Sequence, residues 1–103
     1  MAADWHSGKP YGVMSACTAS SLCIEAAMRA AKKHNTPAVI EATSNQVNQF
    51  GGYTGMKPSD YYELVSSAAG KTGMNMSDVI LGGDHLGPQP FKDEPAEKAM
   101  EKL

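Results

Sequence analysis

Apolar residues recur along this chain with two periods, and the switches between them divide it into three strand–helix pairs. Tyr11 to Ala16 is a short apolar run, as expected for a strand covered on both faces. Thr18, Ser20 or Ser21 then offers a cap for a helix running to about His34. Its predicted buried stripe is Cys23, Ala27, Ala30 and Ala31, widened by Ile24 and Met28. Asn35-Thr36-Pro37 stops that helix, and Ala38 to Ala42 reads as the second strand.

The second helix is predicted to start near Pro58, since proline suits a first helical turn. Tyr61, Leu64, Val65, Ala68 and Ala69 follow the spacing of one buried helical face. Gly70 and Gly73 are read as its end. Val79 to Leu81 forms the third strand and runs into Gly82 and Gly83. Beyond the segment from Pro88 to Pro95, a third helix carries Ala96, Ala99, Met100 and Leu103 as its apolar stripe. It has no stop signal. Three β/α units with a parallel sheet leave strand neighbours unsupplied, so the sequence reads as a fragment or a truncated gene product.

Composition narrows the function classes. Of 103 residues, 42% are hydrophobic and 19% charged, which fits one globular domain rather than a disordered chain. The net charge is −2, without a basic patch, so nucleic acid is a poor partner. No stretch approaches a membrane span, and Met1 to Tyr11 lacks a signal-peptide core. Cys17 is placed in the turn before the first helix and Cys23 within that helix. They read as two reduced thiols of a cytoplasmic protein, and their spacing is poor for zinc.

In parallel β/α folds, ligands bind at the carboxyl ends of the strands. The first strand brings Ser15 and Cys17 there, read as satisfied core groups in preference to a nucleophile. The second brings Glu41, Thr43, Ser44, Asn45 and Gln46, and the third brings Asp84 and His85. Glu41 ends an otherwise apolar strand, which favours a site. Asn45 and Gln46 offer neutral donors and acceptors for sugar hydroxyls. The loop from Thr43 to about Lys57 exceeds the usual connection of about 2–6 residues. Within it, Gly51-Gly52-Tyr53-Thr54-Gly55 is a weak phosphate-loop signal, better read as a lid or a turn cluster. Asp84 and His85 pair a carboxylate with an imidazole. Adjacent strand residues point to opposite faces, so both serve one site only where the backbone turns, and Gly87-Pro88 is the expected turn.

Two segments carry a specific resemblance, Glu41-Ala42-Thr43-Ser44-Asn45-Gln46-Val47-Asn48-Gln49-Phe50-Gly51-Gly52-Tyr53-Thr54-Gly55-Met56 and Ile80-Leu81-Gly82-Gly83-Asp84-His85-Leu86-Gly87-Pro88. From about Gly8 onward the chain closely resembles the non-catalytic (Z-type) subunit of class II D-tagatose-1,6-bisphosphate aldolase. The resemblance implies a partial (βα)8 TIM barrel, with about its first three βα units in residues 1–103. It also implies a subunit that supports the stability and activity of a catalytic aldolase subunit in galactitol or N-acetylgalactosamine breakdown, within an oligomeric assembly. The alternative is a metal-dependent ketose or ketose-phosphate 4-epimerase or aldolase, a lyase of class II type. By resemblance, Asp84 matches a proton donor and His85 a metal ligand, with Zn²⁺ as the metal of the full-length family. Glu41, Asn45 and Gln46 would then hold the hydroxyls of a sugar phosphate. The family's other ligand histidines come from later strands, so this chain is expected to lack a complete metal site. Lys57 stands before Pro58 where relatives often carry Thr, removing an expected helix cap.

Overall fold

A computed structural model describes residues 6–8 and 12–103 of the chain. Strand β1 is Ser15–Cys17, helix α1 is Ser21–Lys33, and strand β2 is Ala38–Thr43. Helix α2 spans Pro58–Thr72, strand β3 Val79–Asp84 and helix α3 Ala96–Glu101. Short 3-10 turns at Met76–Asp78 and Gln89–Phe91 lead into β3 and α3. The sheet is parallel throughout, in the order β1-β2-β3.

Alternation along the strands sends side chains to two unlike faces. Ala38, Ile40 and Ala42 of β2 are buried in one cluster with Ile24, Met28 and Ala31 of α1 and Tyr61, Val65, Ala68 and Ala69 of α2. Both helices therefore cover the same face of the sheet. Ile24, Met28, Ile40 and Val65 are fully buried. Each such side chain contributes about 1.5–3 kcal/mol by leaving water.

The register ranks the other face. Ser15 pairs with Val39, Cys17 with Glu41, Val39 with Ile80, Glu41 with Gly82, and Thr43 with Asp84. These residues alternate with the buried ones and so share the face that none of the helices α1–α3 covers among the described residues. Ile80, a large apolar residue, is exposed there.

Several sequence expectations shift. Tyr11, the expected start of β1, lies outside the described residues, and the strand runs through Cys17, which is its last residue and not part of a turn. The stripe of α1 centres on Ile24, Met28 and Ala31. Cys23 and Ala30 are exposed, and Ala27 and Ala30 instead line a shallow apolar groove with Met14, Ala16 and Val39. An alanine-rich helix gives periodicity little contrast, which is why the stripe was displaced. Gly70 lies inside α2, whose burial of Tyr61, Val65, Ala68 and Ala69 outweighs a helix penalty of about 1 kcal/mol. Gly73 alone ends the helix, in the left-handed conformation. Strand β3 continues through both glycines to Asp84. On α3 only Ala99 is buried, while Met100 and, beyond the helix end, Leu103 are exposed. The cap missing at Lys57 is replaced by Asp60, whose carboxylate accepts the Lys57 N–H at 2.9 Å.

Candidate functional site

Glu41 sits in β2 between Cys17 of β1 and Gly82 of β3. With no side chain at Gly82, the uncovered face stays open between Glu41 and the end of β3. Asp84 closes β3 beside Thr43. The Cys17 thiol lies within hydrogen-bonding reach of Asp84 and feels the charge of Glu41. Burial, that hydrogen bond and the two carboxylates together push the thiol up. A protonated thiol is a weak nucleophile, so Cys17 is best placed as a donor to Asp84. Cys17 is thus neither a core group nor a member of the turn; it belongs to the rim.

The chain turns at His85 itself, earlier than Gly87-Pro88. His85 adopts a left-handed backbone with φ 51°, which is uncommon for a residue other than glycine. Its Nε2 lies 3.7 Å from Asp84 Oδ1, and its side chain is 82% exposed. The turn therefore answers the alternation problem: two neighbouring side chains meet on one side of the strand end. Leu86 folds back over Gly83, where a Cβ would stand 2.7 Å from its methyl groups. Just past the end of β2, the buried Ser44 hydroxyl lies 3.1 Å from the carbonyl oxygens of both His85 and Gly87 and donates to them as a shared bond.

The loop between β2 and α2 is folded upon itself. Asn48 Nδ2 donates to the Ser44 carbonyl at 2.8 Å, and Asn48 Oδ1 accepts the N–H groups of Phe50 and Gly52. The Gly51 N–H goes to the Asn48 carbonyl, the Tyr53 N–H to Asn45 and the Gly55 N–H to Gly52. These amides are spent inside the loop, so the segment is a turn cluster with no cradle for phosphate. Gly52 has φ 59°, and a Cβ there would stand 2.5 Å from the Gln46 carbonyl oxygen. Only glycine fits without a backbone shift.

Of the remaining expected ligand groups, Gln46 Oε1 already accepts the Thr43 N–H at 2.9 Å, so Nε2 is the amide's remaining donor. Asn45 is exposed and uses its carbonyl within the loop. Tyr61, read from the sequence as a core residue, also has a polar task. Its hydroxyl lies 2.7 Å from the Thr18 carbonyl and 3.0 Å from that of Glu41. It thereby ties α2 to the ends of β1 and β2. Burial first, then the charges of Cys17 and Glu41, push its phenol up to about 12.

Zinc requires three or four protein ligands in a tetrahedral array. Asp84 and His85 supply two neighbouring groups, but no set of three or more His, Cys, Asp and Glu side chains converges among the described residues. These residues alone do not fit a complete zinc site. Nor is any helix among them long and apolar enough to cross a membrane.

Comparison with known proteins places this architecture. The family model described as D-tagatose-1,6-bisphosphate aldolase subunit GatZ/KbaZ-like matches residues 1–103. A D-tagatose-1,6-bisphosphate aldolase subunit GatZ of Klebsiella pneumoniae is 54% identical over 96 residues, 93% of this chain and 23% of that protein. The subunit of the same name from Escherichia coli is 52% identical over 95 residues, 92% of this chain and 23% of the relative. A crystal structure from Sinorhizobium meliloti, titled a probable tagatose 6 phosphate kinase, superposes with a TM-score of 0.85 at 50% identity. It covers 89% of this chain and 24% of that one. The chain thus spans about a quarter of the length of the proteins it matches. With a family model matched from end to end, the chain belongs to the D-tagatose-1,6-bisphosphate aldolase subunit GatZ/KbaZ-like family.

Proposed function

We propose that this chain serves as part of a non-catalytic subunit of a tagatose-1,6-bisphosphate aldolase, supporting the stability and activity of a catalytic aldolase subunit. The observation that carries this reading is the 54% identity, over 93% of the chain, with a protein named D-tagatose-1,6-bisphosphate aldolase subunit GatZ. The sheet would then be one arc of a (βα)8 barrel. In support, the strands run in sequential order and both helices α1 and α2 bury one face of β2, as on the outer wall of a barrel. The uncovered face, with Glu41 and Asp84, would point inward. A kinase reaction, which one solved relative's title names, is less well supported. Nucleotide phosphates need free backbone amides or a lysine cradle, and the glycine segment spends its amides internally.

The experiment is co-expression with a catalytic aldolase subunit of the same pathway. The expected result is a longer active lifetime of that subunit and its co-purification with the family member carrying this segment. Unchanged activity and lifetime, with no co-purification, would sink the proposal.

A second reading is favoured by the carboxylates on the uncovered face. Glu41 and Asp84 lie at the carboxyl ends of parallel strands, where sugar phosphates bind in such folds. In this reading the site takes a ketose phosphate, with Asp84 moving a proton and Glu41, Asn45 and the Gln46 amide holding hydroxyls. His85 would add one ligand to a metal completed by other residues. Its check is binding of tagatose 1,6-bisphosphate by the wild-type protein and its loss in Asp84→Asn.

A further inference from the structure

The pairing of Asp84 with His85 depends on a backbone conformation that the local sequence does not favour. A non-glycine residue in the left-handed region is uncommon, and histidine has only a modest preference for it. Something outside the turn must hold it. Among the described residues, the Ser44 hydroxyl is the one hydrogen-bond donor to the carbonyls of His85 and Gly87. It reaches them across 41 and 43 residues of sequence.

Ser44 is itself held. It is buried, and its own carbonyl accepts the Asn48 amide at 2.8 Å. Asn48 in turn gathers the Phe50 and Gly52 N–H groups. The folded loop after β2 thus fixes Ser44, and Ser44 fixes the turn after β3. Each carbonyl lies at the same 3.1 Å from the hydroxyl, so one proton serves both ends of the turn. Removing it leaves two half-sheltered carbonyls without a partner and a strained residue without its restraint.

We propose that Ser44 is a positioning residue for the Asp84–His85 pair: its hydroxyl keeps His85 in the left-handed turn that sets the imidazole beside the Asp84 carboxylate. The inference deepens the reading of this strand end as a ligand site and rests on that reading for its functional meaning. It also explains the long loop after β2, which acts as the scaffold of a neighbouring turn as well as joining β2 to α2.

The test is nuclear magnetic resonance of the isotopically labelled chain. A positive φ brings the amide proton close to the α-proton of the same residue and gives a strong intraresidue cross-peak. Asn35, with φ 53°, has the same signature and is bonded to Lys32 rather than to Ser44, so it serves as an internal control. In Ser44→Ala, the His85 cross-peak is expected to fall severalfold while that of Asn35 persists, and Ser44→Thr is expected to restore it. A His85 signal as strong in Ser44→Ala as in the wild type would overturn the proposal. If Ser44→Ala loses both signals, the fold has gone, and Ser44→Cys decides. Cysteine keeps nearly the same shape with a weak donor, so loss at His85 alone supports the inference and retention at both residues overturns it. The ligand-site reading stands or falls separately, on whether His85→Ala and Asp84→Asn alter binding of tagatose 1,6-bisphosphate.

Discussion

The two faces of β2 divide the labour of this chain. Ala38, Ile40 and Ala42 point into a core sealed by two helices, while Val39, Glu41 and Thr43, one residue out of step, point to the uncovered side. The same six residues therefore anchor the fold and present its chemistry. Substitutions on the two faces should separate stability from ligand response, because each face can change without crossing the backbone.

The sharpest break comes from the sealed face. Ile40→Ala empties a fully buried position and should cost about 2–5 kcal/mol, measured by urea denaturation. That is a large share of the stability of a chain this size. A loss below about 1 kcal/mol would mean that the helices do not close over Ile40. Gly52→Ala comes next, at about 1–3 kcal/mol, since the new methyl would strike the Gln46 backbone in a left-handed conformation. It should also disturb the amides of Asn48 and Ser44, and an unperturbed spectrum there would contradict the loop's internal bracing.

Tyr61 lies on the sealed face, with its ring in the core and its hydroxyl on the backbone carbonyls at the ends of β1 and β2. Tyr61→Phe should lose about 1 kcal/mol below pH 10. Its ionisation gives the pH dependence a sign. The folded phenol titrates near 12 against an ordinary 10.0, so the folded state holds the proton more tightly. The resulting stability is complete below pH 10 and declines as pH rises toward 12. That alkaline slope should shrink in Tyr61→Phe, with the raised Cys17 thiol supplying what remains, and an unchanged slope would assign it to Cys17 rather than Tyr61. The smallest effect on stability belongs to the open face. Asp84→Asn should change the free energy of unfolding by less than about 0.5 kcal/mol while removing ligand response, the reverse of Ile40→Ala.

Legibility in the sequence followed the same division. Helix α2 was readable because Tyr61, Val65, Ala68 and Ala69 contrast with polar neighbours, and the structure buries all four. Helix α1 was blurred because alanine occupies both its buried and its exposed positions, and cysteine's usual preference for the interior misplaced Cys23. At the candidate site, the residue types at the strand ends could be read in order. The conformation of His85 could not, because it is held from Ser44, far away in sequence. The polar use of Tyr61 was hidden for the same reason: its partners, the carbonyls of Thr18 and Glu41, belong to other elements.

The bracing of the loop after β2 bears on how the chain meets proteases. Phe50 and Tyr53 are 65% and 75% exposed, and each offers chymotrypsin a suitable side chain. Yet a protease must draw several residues into an extended strand, and here the neighbouring amides are bound to Asn48, Asn45 and Gly52. Cleavage after either aromatic residue must wait for the loop to open. This long connection should therefore outlast its exposure in a timed digest, and a nick there ahead of all other sites would show that the bracing is weak.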